Sequence, residues 1–180
     1  RFWGPSGWKF LHCITELAPI KLSKKEQELF KSFFINLQYL LPCKYCRKSF
    51  TKYTTSLPID SYLSSRDDLC NWLYLIHNKV NNKLRRQGYC HIPNPDYQLI
   101  RQFYHNLVTS FNNPIKNLME LGHDFLGSIV INYPAYLNNN LAKLNDVNKY
   151  FYQLSRELPV IFDIIAYSDN ISANTNQISQ

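Results

Sequence analysis

The sequence has no apolar run long enough to cross a membrane, and its first residues lack the hydrophobic segment of a signal peptide. Five cysteines are too few, and odd in number, for a disulfide scaffold. Internal repeats, alternating strand patterns and glycine-rich phosphate loops are also missing. With 180 residues, of which 45% are hydrophobic and 15% aromatic, the chain is expected to be globular, soluble and helical.

Charge is unevenly distributed. Residues 1–105 contain 16 Lys and Arg against 7 Asp and Glu, whereas residues 106–180 contain 4 against 6. A basic first half could bind the phosphates of a nucleotide cofactor, an acidic partner or nucleic acid, and it could equally be a solvated surface. Because no nucleic-acid-binding motif is present, we expect no nucleic-acid partner.

Helical periodicity dominates the first 110 residues. A capping-box pattern at Ser23 starts the surest helix, Pro42 ends it, and Gly88 suits the end of another. Asn94 and Pro95 are expected to cap a short fifth helix. The predicted helices lie at about 4–18, 24–41 and 43–53, then from Ser64 or Ser65 to about 86 and from the Asn94–Pro95 cap to about 107.

The composition shifts after Ser110 towards Asn, Ile, Leu and Tyr. Three further helices are predicted, at about 115–131, 137–157 and 159–167, with a break at Pro159 and a polar tail from Ser168. The predicted fold class is all-α, with one domain over 1–110 and a second small helical domain of unknown role over 111–180.

The most informative motif is the C-x-x-C pair Cys43 and Cys46. Such a pair can close an easily reduced disulfide, and a cysteine at a helix start is stabilised as a thiolate. The same spacing is half of a zinc site, so the pair alone leaves both readings open. For zinc, Cys90 and His91 are the further candidates, but they are sequence neighbours and lack the gap of a second metal-binding pair.

Several polar and aromatic side chains could surround a flat heterocycle. Trp8 and His12 share one face of the first helix, and either could instead be part of the core. In the fourth helix, Cys70, Tyr74, His77 and Asn81 form a polar row with Asn78 at its edge. This row could bind a ligand or form a satisfied polar patch, and Lys83 is a candidate for a pyrophosphate.

Taken together, the segments Trp8 to His12, Pro42 to Cys46 and His77 to Leu84 resemble the Erv/ALR family of flavin-dependent sulfhydryl oxidases. The resemblance covers about residues 3–100. It implies a four-helix bundle with a short fifth helix and FAD as cofactor. It also implies that a substrate thiolate attacks Cys43, whereas Cys46 faces the flavin, which passes the electrons to O2 and yields H2O2.

The resemblance further implies a set of cofactor-binding residues and partners. The cofactor-binding residues are Gly4, Trp8, His12, His77, Asn78, Asn81 and Lys83. The partners are protein thiols and a second copy of the chain. The second C-x-x-C of many family members is supplied either by a thioredoxin-like shuttle or by sequence outside these residues. The homodimer is expected through the first two helices, where Phe30, Phe33 and Phe34 form an aromatic stripe that core packing could also explain.

The chain departs from the family at its structural disulfide. Tyr74 stands where family members place the first cysteine, so the resemblance implies a Cys70–Cys90 bond instead and leaves Cys13 as a buried hydrophobe. The added C-terminal segment and its Asn-rich composition point to large DNA viruses of the mimivirus type. The expected location is a virion or the host cytoplasm, or else the mitochondrial intermembrane space.

Overall fold

The computed structural model describes residues 3–41, 43–89, 91–137 and 141–178. Seven helices and one short 3-10 helix account for the described part of the chain, and no helix in it is both long and apolar enough to span a membrane. They are α1 (Trp3–Glu16), α2 (Lys24–Leu40), α3 (Lys44–Ser56), the 3-10 helix (Ile59–Tyr62), α4 (Arg66–Arg86), α5 (Tyr97–Thr109), α6 (Pro114–Leu137) and α7 (Leu141–Ile178). The predicted all-α class is confirmed.

The first four helices form a bundle with α5 packed against α1 and α4. Its core is aromatic: Phe34 meets Trp72 edge to face at 5.3 Å between ring centroids, and the Trp72 indole donates to the Leu57 carbonyl at 3.0 Å. The short 3-10 link reverses the chain between α3 and α4. The dithiol at the start of α3 therefore lies near the C-terminal end of α4.

The helix caps seen in the structure are largely those that the sequence predicted. Ser23 and Glu26 form the predicted capping box, with the Ser23 N–H donating to Glu26 Oε2 at 2.6 Å. Gly88, at φ +72°, follows the end of α4 in the left-handed conformation that glycine tolerates. The cap of α5 differs from the prediction, because Asp96 rather than Asn94 accepts the first backbone N–H.

The predicted break at Pro159 is wrong, because α7 runs through that proline and continues to Ile178. Proline costs one helical hydrogen bond, but Pro159 is exposed, whereas its neighbours Leu158 and Ile161 are buried. Packing of these apolar side chains holds the helix together across the proline. Helices α6 and α7 pack on α1 and α2 respectively, and their buried residues belong to the same core as the bundle.

The predicted homodimer surface is also corrected. Phe30, Phe33 and Phe34 are fully buried in the chain's own core, which is the core-packing alternative. In addition, α7 lies along α2, where Tyr150 stacks on Tyr39 at 4.1 Å. The aromatic stripe expected to meet a second copy is therefore part of the chain's own core, and α7 covers part of α2.

Two glycines allow α1 and α6 to approach closely. A Cβ at Gly7 would lie 2.9 Å from Phe125 Cε2, and one at Gly122 would lie 3.1 Å from Phe10 Cε2. The first distance is a clash that requires Phe125 to move. Glycine is needed at this crossing for space rather than for backbone conformation.

Replacing Gly7 by valine should therefore destabilise the protein by about 1–3 kcal/mol, because the added side chain overpacks the α1–α6 contact. Thermal unfolding followed by circular dichroism measures the effect. The control is Gly127→Ala, whose new Cβ meets nothing within 4 Å and which should stabilise α6 by about 0.5–1 kcal/mol. Equal stability of Gly7→Val and the parent chain would contradict this packing.

Candidate active site

The C-x-x-C pair lies at the start of α3, as predicted. Cys43 is the N-cap, and its sulfur accepts the backbone N–H of Cys46 at 3.4 Å. The Arg47 guanidinium donates to the Leu41 carbonyl at 2.6 Å and ties the helix to the preceding turn. Both cysteines are free thiols, half-buried, one helical turn apart.

The two sulfurs have different proton affinities. Burial raises the pKa of Cys43, but hydrogen bonds from Cys46 and from the Tyr45 N–H, together with the Lys83 charge, lower it below its usual value. Burial and the hydrogen bond to Cys43 raise the pKa of Cys46 to about 12. The first proton to leave the pair is therefore lost from Cys43, and Cys46 keeps its own.

Cys46 lies in the wall of an apolar cavity of about 100 Å³ between α1, α2, α3 and α4. Two half-buried tryptophans, Trp3 and Trp8, form part of that wall. Trp3 was not among the sequence-predicted site residues. The remaining lining residues are Leu11, Leu37, Leu41, Ser49, Phe50, Val80, Lys83 and Leu84.

Lys83 is the cation at this cavity. Its Nζ donates to Ser49 Oγ at 2.6 Å, one turn after Cys46 on α3. The ammonium group is thus held beside the dithiol, where its charge lowers the pKa of both cysteines. Ser49, which the sequence reading missed, positions this lysine.

Trp8, His12 and His77 form an aromatic cluster between α1 and α4. Trp8 lies parallel to His77 at 3.9 Å between centroids, and His12 Nε2 is 3.2 Å from His77 Nδ1. Burial lowers the pKa of His12 to about 3 and that of His77 to about 4, so both rings are neutral at neutral pH. Tyr104 of α5, a residue that the sequence reading missed, stacks on the other face of His12 at 4.5 Å.

Other predicted cofactor residues lie apart from the cavity. Asn78 and Asn81 are half-buried on α4 and make no hydrogen bond with another described residue. Gly4 lies in the first turn of α1, where a Cβ would meet nothing within 4 Å. Their assignment to a cofactor stays a prediction.

Cys70 does not behave as the resemblance implied. It is a free, buried thiol whose Sγ lies 3.6 Å from Glu16 Oε2 on α1. The Cys70 sulfur is therefore not part of the predicted disulfide. Its position on the face of α4 that packs on α1 explains the difference. Cys90 itself lies outside the described residues. Cys13 is buried and free, and burial raises its pKa to about 12, which suits the predicted role of a small hydrophobe.

The residues at the cavity fit FAD in chemical character. Flat aromatic walls suit a heterocyclic ring, Cys46 offers a thiol at its edge, and Lys83 offers a positive charge. The volume is smaller than the roughly 300–1,000 Å³ of most ligand pockets. The cavity as it stands therefore has room for only part of the cofactor.

The zinc alternative gains no support. Among the residues that the structure describes, no group of three or more His, Cys, Asp or Glu side chains could hold a metal ion. Cys90, one of its candidate ligands, falls outside them.

Removing the cation from the site should raise the pKa of Cys43, because Lys83 stabilises its thiolate. In Lys83→Gln, the midpoint of the pH profile for alkylation by iodoacetamide should move to higher pH. Lys79→Gln, one turn earlier on α4, is the matched control and should leave the midpoint in place. An unchanged midpoint in Lys83→Gln would contradict the assignment.

Acid should destabilise the protein through the two buried imidazoles. The unfolded state takes up protons near pH 6.5, whereas the folded state does so only near pH 3 at His12 and pH 4 at His77. Stability contributed by each ring should therefore fall by about 1.4 kcal/mol per pH unit as pH drops below 6.5. Thermal unfolding between pH 7 and pH 5 should show a weaker dependence in His12→Gln than in the exposed control His123→Gln. An equal dependence of stability on pH in the two variants would contradict the role of the buried His12 ring.

Comparison with known proteins agrees with this geometry. The model of the Erv1/Alr family matches residues 5–108. A probable FAD-linked sulfhydryl oxidase of Acanthamoeba polyphaga mimivirus is 36% identical over 80 residues, which are 44% of this chain and 56% of the relative. The mitochondrial FAD-linked sulfhydryl oxidase ERV1 of Saccharomyces cerevisiae is 32% identical over 83 residues, 46% of this chain and 43% of the relative.

The FAD-linked sulfhydryl oxidase of African swine fever virus is 31% identical over 85 residues, 47% of this chain and 70% of the relative. The first two relatives are thus matched over only about half of their length. A crystal structure of a mutant of Erv1 from S. cerevisiae is similar with a TM-score of 0.52 and 27% identity, over 58% of this chain and 81% of that one. Because the family model spans more than half of the sequence, the chain belongs to the Erv1/Alr family.

Proposed function

We propose that this chain is an FAD-dependent sulfhydryl oxidase that introduces disulfides into protein thiols. The observation that carries the proposal is the placement of the dithiol. Cys43 caps α3, whereas Cys46 lies one turn further along the helix, in the wall of an aromatic cavity. This arrangement supports a role for Cys43 towards the substrate and for Cys46 towards the cofactor.

Thiol–disulfide exchange begins with the oxidised pair. A substrate thiolate attacks Cys43 Sγ, the bond between the two cysteines breaks, and Cys46 leaves as a thiolate. A second substrate thiol then attacks the mixed disulfide, which releases the substrate disulfide and the Cys43 thiolate. The substrate has lost two electrons and two protons, and the enzyme dithiol has gained the electron pair.

The cavity opposes the charge that Cys46 acquires, since burial favours its protonated form. Lys83 counters this effect from its position against Ser49. The structure thus places Lys83 beside the dithiol, whereas its predicted contact with a pyrophosphate stays a prediction.

FAD would be held by the walls of the cavity, chiefly Trp3, Trp8 and the apolar residues of α2 and α4. When bound, it accepts the electron pair of the dithiol and passes it to O2, giving H2O2. These residues would hold the ring near Cys46 and would exclude water from the apolar cavity around its sulfur.

The partners follow from this activity. We propose protein thiols as substrates, O2 as acceptor and, as the resemblance implied, a thioredoxin-like protein as a shuttle. A homodimer stays a prediction and would need a surface that α6 and α7 leave open. The relatives are viral and mitochondrial proteins, and we propose the same settings here: a virion or viral factory, or the intermembrane space.

The test is the colour and redox behaviour of the purified protein. It should show flavin absorption, and dithiothreitol should bleach that band before O2 restores it. Cys46→Ser should retain flavin but lose its reduction by dithiothreitol, because the thiol nearest the cavity is gone. The buried control Cys13→Ser should behave like the parent chain. The proposal would be refuted if the protein stayed colourless after incubation with FAD and removal of the excess, or if Cys46→Ser turned over normally.

A further inference from the structure

We propose that the surface around the dithiol binds an acidic segment next to the cysteine of the substrate protein. This inference rests on the proposed oxidase function and adds the chemical class of its substrate. It concerns the exposed side of α3, which we call the α3 lysine row and define as Lys44, Lys48 and Lys52.

The first observation is the absence of carboxylates from this end of the bundle. No Asp or Glu occurs between Glu28 and Asp60 or between Asp68 and Asp96. These two stretches contain five and four Lys or Arg respectively, and they include all of α3 and most of α4. The C-terminal part of α4 lies beside the start of α3. The charged side chains that these two segments contribute around the dithiol are therefore all cations.

The second observation is that the α3 lysine row has no partner in the described part of the chain. All three side chains belong to exposed residues, and none makes a hydrogen bond or ion pair with another described residue. At the opposite end of the bundle the cations are paired instead: Lys31 with Asp60 at 2.5 Å, and Arg101 with Asp67 at 2.8 Å. The positive charge on α3 is therefore available to another molecule.

The third observation is the shape of the row. Residues spaced by four fall on nearly the same side of a helix, and the row extends for about 12 Å along α3 from the residue next to Cys43. An extended acidic segment of roughly four residues has this length. Tyr45, which is 73% exposed between the two cysteines, adds an aromatic surface beside the reacting sulfur.

A protein segment suits this surface better than a nucleic acid. The cations form a single short row that ends at a reactive sulfur, and only a protein brings a thiol to that sulfur. Opposite charge on the substrate would raise its rate of productive encounter with Cys43.

The experiment uses the FAD-loaded chain and three dithiol peptides that differ only in four flanking residues, which are Glu, Gln or Lys. We expect kcat/KM to be about tenfold higher for the Glu peptide than for the Gln peptide at low salt, and lowest for the Lys peptide. The preference should nearly vanish in 1 M NaCl, where the screening length is about 3 Å. Lys48→Glu/Lys52→Glu should abolish or reverse it.

Two controls separate this inference from the proposed function. Oxidation of dithiothreitol, which carries no charge, should be the same in Lys48→Glu/Lys52→Glu and the parent chain; its absence in the parent chain would refute the oxidase function itself. Lys24→Glu/Lys25→Glu makes the same charge change on exposed residues of α2 and should keep the peptide preference. Active enzyme with equal kcat/KM for all three peptides overturns the inference, as does binding of fluorescent single-stranded DNA without a peptide preference.

Discussion

The site depends on a single hydrogen-bonded turn, in which the Cys43 sulfur caps α3. An N-cap side chain accepts a backbone N–H that would otherwise have no partner, and a sulfur in this role is stabilised as an anion by the same N–H groups. Capping also fixes the direction of the second cysteine. Cys46 lies one turn along the helix and faces inwards, so the two sulfurs of one motif meet different surroundings.

Because their surroundings differ, the two cysteines have different chemical properties, which the C-x-x-C motif alone does not predict. Cys43 is half-buried among donors and has the lower proton affinity, whereas Cys46 adjoins an apolar cavity that favours its neutral form. An electron pair that arrives at Cys46 therefore brings a charge into a medium that solvates it poorly. Lys83 and a nearby acceptor of electrons both relieve that charge, which is a physical reason for the cavity to adjoin the inner sulfur.

Periodicity and capping signals were sufficient to predict the bundle, because α1 to α4 bury regular apolar stripes and end at prolines or glycines. The same signals failed at Pro159, where long-range packing on α2 outweighs the local cost of the proline. The polar row on α4 was predicted correctly, but the partner of each of its members was not. Cys70 faces Glu16 and His77 faces Trp8, and such pairings depend on how α1 lies against α4, which no local pattern encodes. Ser49 was missed for the same reason, since its role depends on the hydrogen bond that it accepts from Lys83 of another helix.

The C-terminal helices bear on the site although none of their described residues lines its cavity. Helix α6 crosses α1 at Gly7, where Phe125 occupies the space of a missing side chain and lies 6.4 Å from the Trp3 ring. Trp3 in turn forms part of the cavity wall. Helix α1 is thus packed between α4, which carries the polar row, and α6, which supports the aromatic wall from behind. The packing of Phe125 against Gly7 and Trp3 therefore couples the position of α6 to the aromatic wall of the cavity.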